Sequence, residues 1–205
     1  MNFLDLLVSR RSVQSFVPGK RIPREDLKTL FERTCLSPSS WNLQPWKFLV
    51  IEDDDRKHKI RKMAWDQPKV TECSALVLVL GDTDPHRNKG RIFNQWRKNG
   101  IINDEIHTKW MNAVGTVYPT DFEKHEYAIR NSTLAAMTLM LAAWDMGYAT
   151  CPMIGFDKQA VSKFIGVDDG WVLSFMIALG TADGEPVFPR QQRFSFEEMV
   201  HFEKL

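Results

Sequence analysis

Hydrophobic positions along the chain alternate between helical and extended spacing. The first block, "FLDLLVSRR", carries apolar residues at helical intervals and gives way to "SFVPGKRIP", where Pro18 and Gly19 mark a turn. A second helix follows, because Pro23 suits a first helical position and Glu25 and Asp26 fall in a first turn, where the helix dipole favours acids. Its residues Leu27, Leu30, Phe31 and Thr34 share one face. "WKFLVIED" predicts a strand and "DDDRKHKIRKMAW" an acid-started exposed helix. "CSALVLVLGD" predicts a strand whose unbroken apolar run fits a sheet covered on both faces. From Asp84 to Pro119 the pattern loosens into short surface helices suited to a lid or an interface.

The strongest helix is "HEYAIRNSTLAAMTLMLAAWDMGYAT", apolar nearly all round between Asn131 and Trp144 and stopped at Gly147. Such a helix must be covered on every side, at the centre of a subunit or against a partner chain. After "CPMIGF", "DKQAVSKFIG" predicts a helix opened by Asp157, and "WVLSFMIALG" a last buried strand. The tail "RQQRFSFEEMVHFEKL" has apolar residues without a place in this pattern, and is expected to embrace another subunit.

Composition narrows the picture. A chain of 205 residues with 43% hydrophobic content can bury one sizeable core, so a single domain over 1–205 is expected. Lysine and arginine number 27 against 26 acids, interspersed, which argues against a surface that tracks nucleic-acid phosphates. Cys35, Cys73 and Cys151 lack CxxC spacing and suggest buried thiols in a reducing compartment, with neither a disulfide framework nor a metal site. "MNFLDLLVSRRS" has an acid within its apolar stretch and no small-residue cleavage site, unlike a signal peptide. The apolar stretch from Ser132 to Trp144 is too short for a bilayer. A soluble cytoplasmic protein is expected.

The chain lacks GxGxxG, P-loop, HExxH and GxSxG motifs, and its histidines sit mostly in charged segments. Four other segments carry potential chemistry, each with a bland alternative. "SRRS" at 9–12 sets guanidinium forks and hydroxyls at a helix end, where they suit a phosphate, or serve only as dipole complements. "PRQQR" supplies Arg190 and Arg193 as partners, or as solvated charges. "SPSSWNLQPWKFLV" offers hydroxyls, carboxamides and backbone groups to a flat, polar-edged ligand, with Trp41 and Trp46 to stack or seal; otherwise it is a capped turn with core tryptophans. "PMIG" at 152–155 is a strand-end turn whose glycine admits a ligand close to the backbone, or a loop leading to a helix.

In order and spacing, "RRSVQSF", "SPSSWNLQPWKFLV", "DQPKVTECSALVLVLGD", "GYATCPMIGFD" and "RFSFEEMV" together resemble the FMN-dependent nitroreductase family over nearly the whole chain. The resemblance implies an α+β fold, a three-layer α/β/α sandwich with a mixed central sheet, dimerised through long apolar helices with FMN at the subunit interface. It aims Arg10 and Ser12, with Arg11, at the phosphate and ribityl end. Pro38, Ser39, Ser40 and Asn42 match a loop that contacts the flavin held mainly by the other subunit. Lys69 matches a position at the pyrimidine edge of the ring, and Pro152, Met153, Ile154 and Gly155 match a segment whose amides face N5 and O4. Arg193 matches a C-terminal phosphate arginine.

Three positions depart from the family pattern. Gln14 stands where Lys or Arg is frequent, a lost charge that Arg190 could replace. Asp66 stands where Asn is common; its carboxylate can accept from the ring N3–H but disfavours a reduced anionic flavin. Ile154 replaces an acid and offers only its backbone. The implied activity needs no catalytic side chain, since the flavin carries the chemistry. It takes hydride from NADPH or NADH at N5 and reduces nitroaromatics, quinones or similar planar acceptors in a ping-pong cycle, with Lys69 stabilising developing negative charge. Trp41 and the 84–119 segment are candidates for shaping the acceptor pocket. Two other readings stay open: a non-enzymatic flavin-binding or storage module, and a flavin-free structural dimer.

Overall fold

A computed structural model describes residues 2–84, 86–114, 116–184 and 190–204. Its centre is a four-stranded sheet of order β1-β2-β4-β3, formed by β1 (Trp46–Ile51), β2 (Ala75–Asp82), β3 (Ala149–Met153) and β4 (Trp171–Gly180). All three strand pairings are antiparallel, with Leu49 opposite Leu78 and Val77 opposite Ile177. The parallel component of the expected mixed sheet is confined, among the described residues, to a single bridge between Ser12 and Thr150.

Alternation along β2 explains its unbroken apolar run, since successive side chains point to opposite faces. Leu76 and Leu78 pack with Ile60, Val161 and Met176 on one face, under α3 (Asp54–Met63) and α8 (Lys158–Ile165). Val77 and Val79 pack with Leu27, Leu30, Leu139 and Ile177 on the other, under α2 (Arg24–Thr34) and α7 (Asp121–Asp145). The three layers thus follow from one strand buried on both sides.

The helix starts obey local chemistry. Asp53 and Asp157 accept from the amides of Arg56 and Ala160 to cap α3 and α8. Thr120 and Glu123 form a capping box that starts α7 ahead of the apolar run visible in the sequence. Helix α7 buries Ala128, Ala135, Ala136, Leu139 and Ala143, but leaves Leu134 and Met137 exposed, so the subunit covers only part of its circumference.

The loosely patterned region forms α5 (Lys89–Lys98) and α6 (Asp104–Ala113). Phe93, Ile102 and Val114 make a third apolar cluster there with Leu43 and Tyr127. The N-terminal α1 (Phe3–Ser9) buries none of its residues, and the short α9 (Phe196–Met199) is likewise exposed. No helix among the described residues is long and apolar enough to cross a membrane.

Helix α7 approaches the sheet at Gly81, where an added Cβ would lie 2.5 Å from the Ala128 carbonyl oxygen and 3.0 Å from its Cβ. Backbone on both sides leaves no side chain to yield. Gly81→Ala is therefore expected to cost about 1–3 kcal/mol, the usual penalty of overpacking, read as a lower denaturation midpoint with an unchanged slope.

Candidate functional site

The outer edge of β3 is covered by the chain between α1 and α2. Val13 donates its amide to the Thr150 carbonyl at 3.0 Å, and Val17 donates to Thr181 at 3.0 Å, so residues 10–17 run along the sheet as a ribbon. The indole of Trp144, on α7, donates to Ser9 Oγ at 2.9 Å and ties the end of α1 to the body. Val13 and Phe16 point into the core, which turns Ser12 and Gln14 outward.

Arginines gather at the head of this ribbon. The Arg190 guanidinium donates to the carbonyls of Leu7 and Val8 at 3.1 and 2.7 Å, satisfying the open C-terminus of α1. Arg193 donates to the carbonyls of Gln191 and Gln192 at 2.9 and 3.2 Å. Partial burial, and then the positive charges of Arg190, Arg193 and Arg11, hold Arg10 below the ordinary guanidinium range. Four guanidinium groups drawn together, two of them on neutral backbone carbonyls, supply the kind of donor set an anion site uses.

Further along, Lys69 at the start of α4 (Lys69–Glu72) donates to the Gln14 side-chain oxygen at 2.6 Å. Gln14 in turn donates to the Cys151 thiol at 3.6 Å. Burial pushes the Cys151 thiol up, against the pull of Lys69 and Gln14. A neutral amide leaves the ammonium charge of Lys69 intact, whereas a cation at position 14 would repel it.

A tight turn joins α3 to α4. Trp65 and Asp66 both adopt left-handed backbone conformations, at φ +53° and +54°. The turn is closed by the Asp66 amide on the Arg61 carbonyl at 3.0 Å and by the Arg61 guanidinium on the Asp66 carboxylate at 2.8 Å. Gln67 bridges it to the end of β3, donating to the carbonyls of Ala64 at 3.0 Å and Gly155 at 2.8 Å. Pro152 and Ile154 are exposed there, while Met153 is buried.

The expected residues thus divide in two. Arg10, Arg11, Ser12, Gln14, Asp66, Lys69, Pro152, Met153, Ile154, Gly155, Arg190 and Arg193 lie around the β3 edge. Pro38, Ser39, Ser40 and Asn42 lead into β1, the opposite edge of the sheet. Trp41, Asn42 and Gln44 in this loop have positive φ values of 55°, 53° and 49°. Ser39 Oγ accepts from the Gln44 amide at 2.9 Å, and the Ser40 amide donates to Asn131 Oδ1 at 2.8 Å.

Trp41 packs edge-on against Trp110 at 5.6 Å, within the third apolar cluster. Its ring is an anchor for α6.

Three contributors escaped the sequence reading. Asn131 is a buried amide on α7 that holds the Ser40 loop and donates to the Tyr127 carbonyl at 2.7 Å; a polar side chain inside an apolar helix was its signal. Gln67 and Trp65 sit in a turn whose left-handed residues are not glycine, so the sequence carried no turn signal. A separate cleft of about 370 Å³, lined by residues including Trp46, Lys47, Asp82, Arg87 and Trp171, holds Trp46 but none of the expected cofactor-binding residues.

Comparison with known proteins adds an independent finding. The model of the Nitroreductase family matches residues 7–181. The chain is 37% identical over 202 residues, 98% of each chain, to MhqN of Bacillus subtilis, provisionally named an NAD(P)H nitroreductase. It superposes with a TM-score of 0.93 on the B. subtilis protein ydfN, provisionally named a nitroreductase, at 36% identity and 98% coverage of both chains. A protein from Exiguobacterium sibiricum, provisionally named a nitroreductase and solved in complex with FMN, gives a TM-score of 0.88 at 25% identity, covering 99% of this chain and 98% of that one.

The site's thiol yields a simple test of its packing. Burial pushes Cys73 up to about 11 and raises Cys151, while Cys35 is exposed. Since the thiolate is the reacting form, iodoacetamide at neutral pH should label Cys35 in the native protein. Cys73 and Cys151 should label only on unfolding, as read by peptide mass spectrometry.

Proposed function

Because this chain belongs to the nitroreductase family, we propose that it is an FMN-dependent oxidoreductase that uses NADPH or NADH to reduce nitroaromatics, quinones or similar planar acceptors. The observation that carries this reading is the arginine group at the head of the β3 edge. Arg10 is part-buried with the guanidinium groups of Arg190, Arg193 and Arg11 close around it, a set of charged donors that a phosphate would fit. Arg10, Arg11, Ser12 and Arg193 would hold the phosphate and ribityl end. Arg190 adds charge while its fork caps α1.

FMN held there would supply the redox chemistry, hydride acceptance from the nicotinamide and two-electron reduction of the acceptor. The chain contributes position and field. Gln14 positions the Lys69 ammonium, which would stabilise negative charge at the pyrimidine edge of the flavin. Asp66 shares its carboxylate with Arg61, which tempers its repulsion of that charge. The Gly155 backbone, steadied by Gln67 on its carbonyl, would hold the reacting side of the ring.

The site is completed by a second copy of the chain. The 38–42 loop, rigidly built yet on the far edge of the sheet from Arg10 and Lys69, would reach the partner's flavin, and the uncovered side of α7 would meet its counterpart. The exposed tail with Phe194, Phe196 and Phe202 would lie on that partner. The whole chain would act as one cytoplasmic unit.

Arg10→Ala should weaken FMN binding about 10–100-fold, the loss of one charge-assisted contact worth about 1.5–3 kcal/mol, with the fold retained. Fluorescence titration of the flavin-stripped protein measures it. Wild type should be yellow, bleach anaerobically with NADPH or NADH, and recover its colour on adding a quinone. A protein that takes up no FMN, or whose flavin neither donor reduces, would overturn the reading.

A further inference from the structure

Trp65 is the one large aromatic side chain of the 64–67 turn, and the protein leaves it 73% exposed. It does so against two costs. The residue adopts φ +53°, a conformation unfavourable to any side chain with a Cβ and especially to a bulky one. An exposed indole also forfeits the burial that normally stabilises a tryptophan. The following residue is strained as well, and hydrogen bonds from Arg61, Asp66 and Gln67 hold the pair in place.

The result is a definite placement. A Cβ built on Gly155 would meet Trp65 Cζ3 at 2.4 Å and Cε3 at 3.1 Å, so the indole lies directly on the Gly155 backbone, and a side chain there would displace the ring. Beside it Ile154 is 83% exposed. Two large apolar side chains therefore stand open to solvent at the segment that would face the reacting side of the flavin. Trp41, by contrast, packs against Trp110 and Phe93 in an apolar cluster of its own.

Resting on the reading of the site given above, we propose that Trp65 is a specificity-determining residue, the wall against which a flat, uncharged aromatic acceptor stacks. The chemistry favours the acceptor over the nicotinamide donor. A dinucleotide brings phosphates and ribose hydroxyls that can bind elsewhere, while a quinone or nitroarene has little to offer except its apolar faces. Ile154 widens the wall, and the Gln67 bridge keeps it in register with Gly155.

The test compares wild type with Trp65→Ala and Trp65→Phe, after measuring flavin content and melting temperature in all three. Trp65 is exposed, so both variants should fold and load FMN as wild type does. In Trp65→Ala the KM for 1,4-naphthoquinone should rise about fivefold to tenfold, in line with the loss of one aromatic stacking partner. KM for ferricyanide, an octahedral acceptor that cannot stack, should stay unchanged, as should the rate of anaerobic flavin reduction by NADPH. Trp65→Phe should recover most of the quinone effect. The dissociation constant of 2-naphthoate, a planar compound the flavin does not reduce, followed by its perturbation of the flavin spectrum, should rise in parallel. Equal naphthoquinone KM and naphthoate affinity in wild type and a flavin-loaded Trp65→Ala would overturn the stacking role alone, as would an equal change for ferricyanide or for the NADPH step. A wild type that takes up no FMN would overturn the reading of the site and this role with it.

Discussion

Both faces of one small sheet must be kept dry at once, and most of this structure answers that requirement. Val77 and Val79 face α2 and α7 while Leu76 and Leu78 face α3 and α8, so β2 cannot slip by one residue without exchanging its two cores. Antiparallel pairing then places β1 and β3 on opposite edges. The candidate site grows from what happens at those edges. At β3 the ribbon from Arg10 to Val17 takes up the free carbonyl of Thr150, and its alternation sends Val13 inward and Gln14 outward beside Lys69.

Electrostatics at this edge run against folding economy. Arg10 is held near three other guanidinium groups, and Lys69 is given a neutral carboxamide where an acid would pair with it more strongly. Elsewhere the chain neutralises its charges in ordinary ways. Arg87 pairs with the buried Asp82 at 2.6 Å, Arg33 with Asp145 at 3.0 Å, and the buried Lys57 with Asp54 at 2.9 Å. The cluster of guanidinium groups and the left-handed turn mark the β3 edge as the candidate site, since perturbed charge and backbone strain gather at functional sites.

Residues with no chemistry of their own hold the parts in register. Asn131 spends a buried side chain on the amide of Ser40 and the carbonyl of Tyr127, fixing a loop with three left-handed residues to the longest helix. Gln67 does the same between the 64–67 turn and Gly155. Such amides can donate and accept together, which lets one side chain lock two backbone segments.

The amino-acid sequence by itself determined the secondary elements and the segments that are candidates to face a ligand. Period-two and period-3.6 patterns, caps such as Asp157 and the run "ALVLVL" are local signals, and local backbone chemistry is sufficient to express them. The arginines of "SRRS" and "RQQR" and the loop "SPSSWNLQP" were legible for the same reason: polar groups in excess of what a turn needs. Only the tertiary structure decided that all three strand pairings are antiparallel, that Gln14 is the partner of Lys69, that Trp41 is an anchor and that Trp65 is the exposed ring. The Gln14 contacts join residues 55 and 137 positions apart, and the placement of Trp65 rests on left-handed conformations at Trp65 and Asp66 that no glycine announces. Contacts of that range are set by which faces the packed layers bury, and a linear pattern carries no record of them.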